Sequence, residues 1–229
     1  MPIRALLLDL DGTLTDTNAA HTAAYADAFA DAGYEVPYDA IRRAIGLGSE
    51  KLVPALIGEE AYAKDGDRIL RRTGKRFEEI ATSEAFRPLP GAELLLTVAR
   101  QRALRTALCT ASLAEELDLM FESMGHDLRP NLDVVTTSSD VEEQKPAPDV
   151  LHVAMERLEL PPVACVLVGD TIYDAEAAAR GGVAFIGVTT GAWTADELRD
   201  AGAVSVYADV GELAGALESA LAAVEAAAV

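Results

Sequence analysis

The sequence predicts an α/β protein: a parallel sheet with helices on both faces, and an all-helical segment inserted after the first strand. Two observations carry this. Short apolar runs alternate with stretches of helical pattern through the second half of the chain, the signature of parallel strands joined by helical crossovers. One strand of similar quality stands alone near the start, followed by a long segment with no comparable strand.

The first strand is expected over residues 3–9, in "IRALLLD". From Asn18 to about Ala85 only helix-like stretches follow: "AAHTAAYADAFADAG", closed by Gly33 as a C-cap, then "YDAIRRAIG", "SEKLVPALIG" and "AYAKDGDRILRRTGKRFEEIA". Pro54 is expected to start or kink a turn in the third of these. A breaker cluster, "RPLPG" (Arg87 to Gly91), ends the segment. Strands are then expected in "LRTALCT", "LDVVTTS", "VACVLVGD", "VAFIGVT" and "AVSVYA", and helices in "SLAEELDLMFESMG", "APDVLHVAMERLEL", "IYDAEAAARGG" and "TADELRDAG". The alanine-rich stretch from Leu213 to Val229 reads as a docked surface helix. The expected division is an α/β core of residues 1–17 and 86–229, with a helical unit of residues 18–85.

The 229 residues, half hydrophobic and a quarter charged, suffice for a large core. A net charge of −19 argues against nucleic acid and anionic membranes as partners, since no general positive field attracts phosphate backbones. The charge is uneven: residues 37–90 hold 10 Lys/Arg against 9 Asp/Glu, while the remainder holds 9 against 29. No apolar run approaches the roughly 20 residues of a membrane span. The apolar stretch near the start is too short for a signal peptide, so a cytoplasmic protein is expected. Cys109 and Cys165 sit in apolar segments and read as buried thiols, and the scattered His21, His126 and His152 offer no zinc site.

The strand ends hold the chemistry. In open α/β sheets, ligands gather beyond the carboxyl ends of the strands. There the sequence places Asp9 and Asp11 in "DLDGT", Thr110-Ala111-Ser112, Lys145 in "EEQKPAPD", and Asp170 in "VGD" with Asp174 one helical turn on. Carboxylates crowded together repel unless a cation joins them. A hard divalent cation, Mg²⁺, with the phosphate of a small-molecule ester satisfies the set. Asp9 and Asp170 are expected as direct ligands, with one Asp9 oxygen free to attack phosphorus. Thr110 and the backbone N–H groups near Ala111, taken to lie at a helix N-terminus, would hold phosphate oxygens. Lys145 would neutralise charge. Asp11 would protonate the leaving oxygen, then deprotonate the hydrolytic water.

"DLDGTLTD", "LCTAS", "KPAPD" and "VGDTIYDAEAA" resemble, in order, the four motifs of the haloacid-dehalogenase-like hydrolase superfamily. The resemblance covers nearly the whole chain. It implies a Rossmann-like core with a helical cap inserted after the first motif. It also implies Asp9 as nucleophile, Asp11 as acid/base with its backbone carbonyl on the metal, Thr110 and Lys145 on the phosphate, Asp170 on magnesium, and Asp174 supporting the metal or the lysine. Dehalogenases and phosphonatases lack the second aspartate of the first motif, so Asp11 argues against both. The phosphoglycolate-phosphatase-like group and the β-phosphoglucomutases remain. His21 falls where the mutases carry a histidine near the cap hinge, whereas "IGLGSEK" offers Ser49 where they place an arginine. Gly46 and Gly48 are expected to turn the cap towards the core, with Arg42, Arg43, Ser49 and Lys51 as candidate substrate contacts. The expected function is a Mg²⁺-dependent phosphatase of small phosphorylated metabolites, with a phosphomutase or a non-catalytic phospho-ligand-binding protein as alternatives.

Overall fold

The structure, a computed structural model, describes residues 1–227. Six strands form one parallel sheet: β1 (Ala5–Leu8), β2 (Arg105–Cys109), β3 (Val134–Thr136), β4 (Cys165–Gly169), β5 (Ala184–Val188) and β6 (Ser205–Tyr207), in the order β3-β2-β1-β4-β5-β6. The first strand is therefore central. It pairs in register with β2 (Leu8 opposite Leu108) and with β4 (Leu8 opposite Val168), which aligns the ends of all three.

Strand periodicity divides the core. Leu6 and Leu8 point into one apolar cluster, with Leu95 of α5 (Ala92–Gln101), Leu117 of α6 (Ala114–Met124) and Leu213 of α10 (Val210–Ala227). Ala5 and Leu7 point into the other, with Leu151 of α7 (Asp149–Leu158), Ala178 of α8 (Ile172–Gly181) and Leu198 of α9 (Ala195–Asp200). The helix α5 was not expected: its short apolar run lies between the breaker cluster and the β2 strand signal. The expected tail helix is present as α10, and residues 228–229 of that expectation lie outside the described residues. Both cysteines are buried and free, and burial pushes their thiols up, Cys109 to about 12 and Cys165 to about 11.

Between β1 and α5 lie four helices, α1 (Asn18–Ala32), α2 (Tyr38–Ala44), α3 (Ser49–Ile57) and α4 (Glu59–Ser83). Gly33 ends α1 in the left-handed region (φ 85°), as expected of a C-cap. Pro54 does not break α3. The backbone bond it forgoes would run to the carbonyl of Glu50, in the exposed first turn, where its loss costs least. These helices pack Tyr25, Phe29, Ile41, Leu52 and Ile69 into an apolar cluster of their own. The insertion is nevertheless rooted in the main core, because Phe77, Ile80 and Ala81 at the far end of α4 join the cluster under α5 and α6. The two chain crossings run side by side: Asp16 N–H donates to the Arg87 carbonyl (3.0 Å) and Leu89 N–H to the Leu14 carbonyl (2.8 Å).

Candidate active site

Beyond β1 the chain must reverse over the sheet's edge, and Gly12 permits it at φ 78°. A Cβ there would lie 2.1 Å from Asn18 Nδ2 and 2.4 Å from Asp170 Oδ2. The turn folds back on itself, with the N–H groups of Thr13, Leu14 and Thr15 all donating to the Leu10 carbonyl. Asp9 continues the ladder through its N–H to the Val168 carbonyl (3.0 Å), which sets its side chain beside the end of β4.

Four of the expected residues meet there. Lys145, 1 % exposed, donates from Nζ to Asp9 Oδ1 at 2.6 Å and to Asp174 Oδ1 at 2.7 Å. Asp174 is fixed from its other oxygen by the Thr171 hydroxyl (2.6 Å) in the capping box that opens α8. Asp170 is wholly buried and accepts only from neutral groups, Thr13 Oγ1 (3.1 Å) and Asn18 Nδ2 (3.2 Å). Burial, with the charges of Asp9 and Asp174, holds its carboxyl well above the usual range. Burial also raises Asp9, to about 7, despite the opposing pull of Lys145. Asp9, Asp170 and Asp174 present carboxylate oxygens all within 4.8 Å of one another. Three buried acids thus share one lysine, and Asp170 has no cationic partner among the described residues. An all-oxygen donor set short of positive charge fits Mg²⁺.

Asp11 lies apart from this cluster. Its Oδ1 accepts from the Thr17 hydroxyl and faces His21 Nε2 (3.0 Å), while its Oδ2 accepts from Ser112 Oγ (2.8 Å). Burial opposes its ionisation, but the charge and hydrogen bond of His21, with the two hydroxyls, outweigh it and bring the carboxyl to about 2. Burial likewise opposes charge on His21, and Asp11 outweighs it, so the imidazole pKa is raised. The ring is stacked on Phe77, centroids 4.1 Å apart. The contacts favour the ionised form of Asp11 and raise the imidazole pKa of His21 at its side.

Thr110 is buried at the end of β2, where its Oγ1 accepts the Ser112 N–H at 3.0 Å. Ala111 lines the cleft, but the expected helix N-terminus is not at this residue: α6 begins at Ala114, with Leu113 as its N-cap. The two intervening residues, Ser112 and Leu113, make room for the Ser112–Asp11 contact. From the insertion, the Gly46–Gly48 turn reaches the core, where Gly48 N–H donates to the Lys145 carbonyl (3.3 Å). A Cβ on Gly48 would strike the Gln144 side chain at 2.0 Å. Ser49 lines the cleft with Asp9, Asp11 and His21.

Three expected substrate contacts are placed elsewhere. Arg42 pairs with Asp39 on the exposed side of α2 (3.3 Å), one turn along the same helix. Lys51 binds the Gln144 carbonyl and Glu143, both at 2.9 Å, because the turn brings α3 down beside that loop. Arg43 crosses to the core, pairing with Glu197 (2.6 Å) and lying over the Trp193 ring (3.9 Å). Sequence reasoning did not assign roles to Thr13, Thr17, Asn18 and Ser112, which position Asp11 and Asp170. For Thr13 and Thr17 the signal was present in the "DGTLTDT" run. For Asn18, which caps no helix, and for Ser112 it depends on the turn beyond β1.

A family model for haloacid dehalogenase-like hydrolases matches residues 3–182. The chain belongs to that family. Among its relatives is the phosphoglycolate phosphatase of Nitrosospira multiformis, 34% identical over 187 residues, covering 80% of this chain and 81% of the relative. The protein CbbY of Cereibacter sphaeroides is 29% identical over 229 residues, covering 93% and 96%. The crystal structure of a hydrolase from Pseudomonas syringae has the same architecture, with a TM-score of 0.86 at 26% identity over 94% of this chain and 98% of that one. No helix among the described residues is long and apolar enough to cross a membrane.

Proposed function

We propose that the protein is a magnesium-dependent phosphatase that hydrolyses small phosphate monoesters through a phosphoryl group carried on Asp9. The observation that carries this reading is the Asp9–Lys145–Asp174 arrangement. Lys145 engages Asp9 through Oδ1 alone, which leaves Oδ2 to attack phosphorus. Mg²⁺, held by Asp9, Asp170 and the Asp11 backbone carbonyl with Asp174 in support, would supply the positive charge that the buried acids and the phosphoryl oxygens need.

In the first step, Asp9 Oδ2 bonds to phosphorus as the ester P–O bond breaks, and Asp11 gives a proton to the departing oxygen. Asp11 must be loaded with that proton, and His21 Nε2, 3.0 Å away, is the adjacent donor. In the second step, water attacks phosphorus, Asp11 takes its proton, and the Asp9–phosphorus bond breaks to release phosphate. Thr110 Oγ1 and the backbone N–H groups near Ala111 hold phosphoryl oxygens, and Lys145 offsets their charge. Residues 18–85 act as the cap over a core of residues 1–17 and 86–229, with Ser49 and His21 bordering the leaving group. A phosphatase named among the relatives supports the reaction class. The test is phosphate release from a panel of phosphorylated metabolites, with magnesium and with excess chelator. Release that needs magnesium and vanishes in Asp9→Asn is the expected result, and metal-independent release refutes the reading.

A further inference from the structure

The cleft over Asp9 and Asp11 is narrow, with about 60 Å³ of free volume. Its walls on the leaving-group side are Tyr25, Ile45, Leu47, Ser49, Leu113 and Glu116. None of the six is basic. His21 also lines the cleft, but Asp11 engages it at 3.0 Å. Lys145 is held between Asp9 and Asp174. The basic side chains flanking the Gly46–Gly48 turn are paired away from the cleft, Arg42 with Asp39, Arg43 with Glu197 and Lys51 with Glu143.

Glu116 instead brings a negative charge to that wall. Its Oε2 accepts the Leu113 N–H at 3.0 Å, which fixes the carboxylate in the first turn of α6. A groove adjoining the cleft at Glu116 continues the same sign through Glu78, Glu115, Asp118 and Glu122. A carboxylate or second phosphate on the leaving group would therefore lie against Glu116 with no free cation among the described residues to meet it, a penalty of about tenfold or more in kcat/KM.

We infer that the substrate's leaving group carries no second negative charge, so that the protein selects phosphomonoesters of neutral or cationic alcohols over those of hydroxy acids and over bisphosphates. The inference rests on the phosphatase reading of this site. Three near-isosteric esters test it: 2-hydroxyethyl phosphate, phosphoethanolamine and 2-phosphoglycolate. The expected kcat/KM for either of the first two exceeds that for phosphoglycolate by about tenfold or more. Glu116→Gln, which keeps an acceptor for the Leu113 N–H, should narrow that gap by raising turnover of phosphoglycolate alone. Phosphoglycolate equal to or better than hydroxyethyl phosphate overturns the inference, as does a gap that Glu116→Gln leaves unchanged. Failure to release phosphate from these three and from the wider panel of phosphorylated metabolites would overturn the phosphatase reading instead. Calorimetry would then rank the same esters as ligands of the wild-type chain, and tightest binding of phosphoglycolate would overturn the selectivity.

Discussion

Replacing Lys145 by methionine removes the one cation buried among Asp9, Asp170 and Asp174 while keeping most of the side-chain volume. Two ion pairs disappear, at 2.6 and 2.7 Å, from positions with side-chain exposures of 1% and 7% or less. Removing one partner of a buried pair costs about 3–5 kcal/mol, because the other charge is left without compensation. Here two carboxylates are abandoned beside a third, and the upper part of that range applies. The cost must depend on pH. Asp9 is at about 7 even with Lys145 opposing the rise, and its ordinary value is 3.8. Without the lysine the native state binds a proton there that the unfolded chain does not bind, so stability falls as pH rises from about 4 to beyond 7. Urea unfolding of both proteins, in mildly acid and mildly alkaline buffer and with chelator present, measures the difference. The variant should lose most in alkaline buffer, recover part of the loss in acid, and recover part again when magnesium replaces chelator, since a ligand of the native state alone stabilises it. A loss below about 1 kcal/mol in alkaline buffer, the scale of an exposed pair, would refute the reasoning.

Asp9→Asn should abolish phosphate release and leave near-ultraviolet circular dichroism unchanged, so retained turnover in a clean preparation would remove Asp9 as the nucleophile. His21→Gln withdraws the charge that holds Asp11 at about 2. A depressed carboxyl stabilises the fold above its ordinary pKa, and that stability is lost as pH falls through the depressed value; the variant should therefore unfold at a higher pH during acid titration. An unmoved acid midpoint would count against the His21–Asp11 pair. Gly12→Ala forces a side chain into the left-handed region, at about 1–2 kcal/mol, and against Asp170 Oδ2. Calorimetry should show weaker magnesium binding, and wild-type affinity would mean that the turn yields without moving Asp170. Arg43→Ala removes a partly exposed ion pair and a cation–π contact, together worth about 1–2 kcal/mol. It should raise KM more than it lowers Tm, as expected if the contact holds the helical insertion over the cleft.

The strand-end residues were legible because each follows an apolar strand signal, and parallel pairing brings strand ends into line whatever the intervening loops do. The all-helical insertion was legible as an absence of strands between Asn18 and Ala85. Helix α5 was missed although Ala92, Leu95, Leu96 and Ala99 follow a helical spacing, because its consecutive leucines lie between the breaker cluster and the β2 strand signal, only three residues ahead of β2. The side-chain contacts of the helical insertion were harder for a physical reason. Arg42, Arg43 and Lys51 are long charged side chains on one short stretch, and their direction depends on which partner the folded insertion presents to each. Asp39, Glu197 and Glu143 supplied those partners, at sequence distances from three residues to more than 150. Ser49, short and placed at the first residue of α3, lines the cleft by backbone position alone.

The central place of β1 also bears on how the chain folds. Both of its neighbours in the sheet come from far along the sequence: Leu8 lies opposite Leu108 on one side and Val168 on the other. Asp9 meets Lys145 across 136 residues. Contacts at such separation form slowly, because loop closure must precede any return from the pairing. The helical insertion can collapse on local contacts first, while Asp9 has no counter-charge until the segment between β3 and α7, which carries Lys145, docks. Assembly of the acidic centre should therefore coincide with a late step of folding, and added magnesium should change the unfolding rate more than the folding rate.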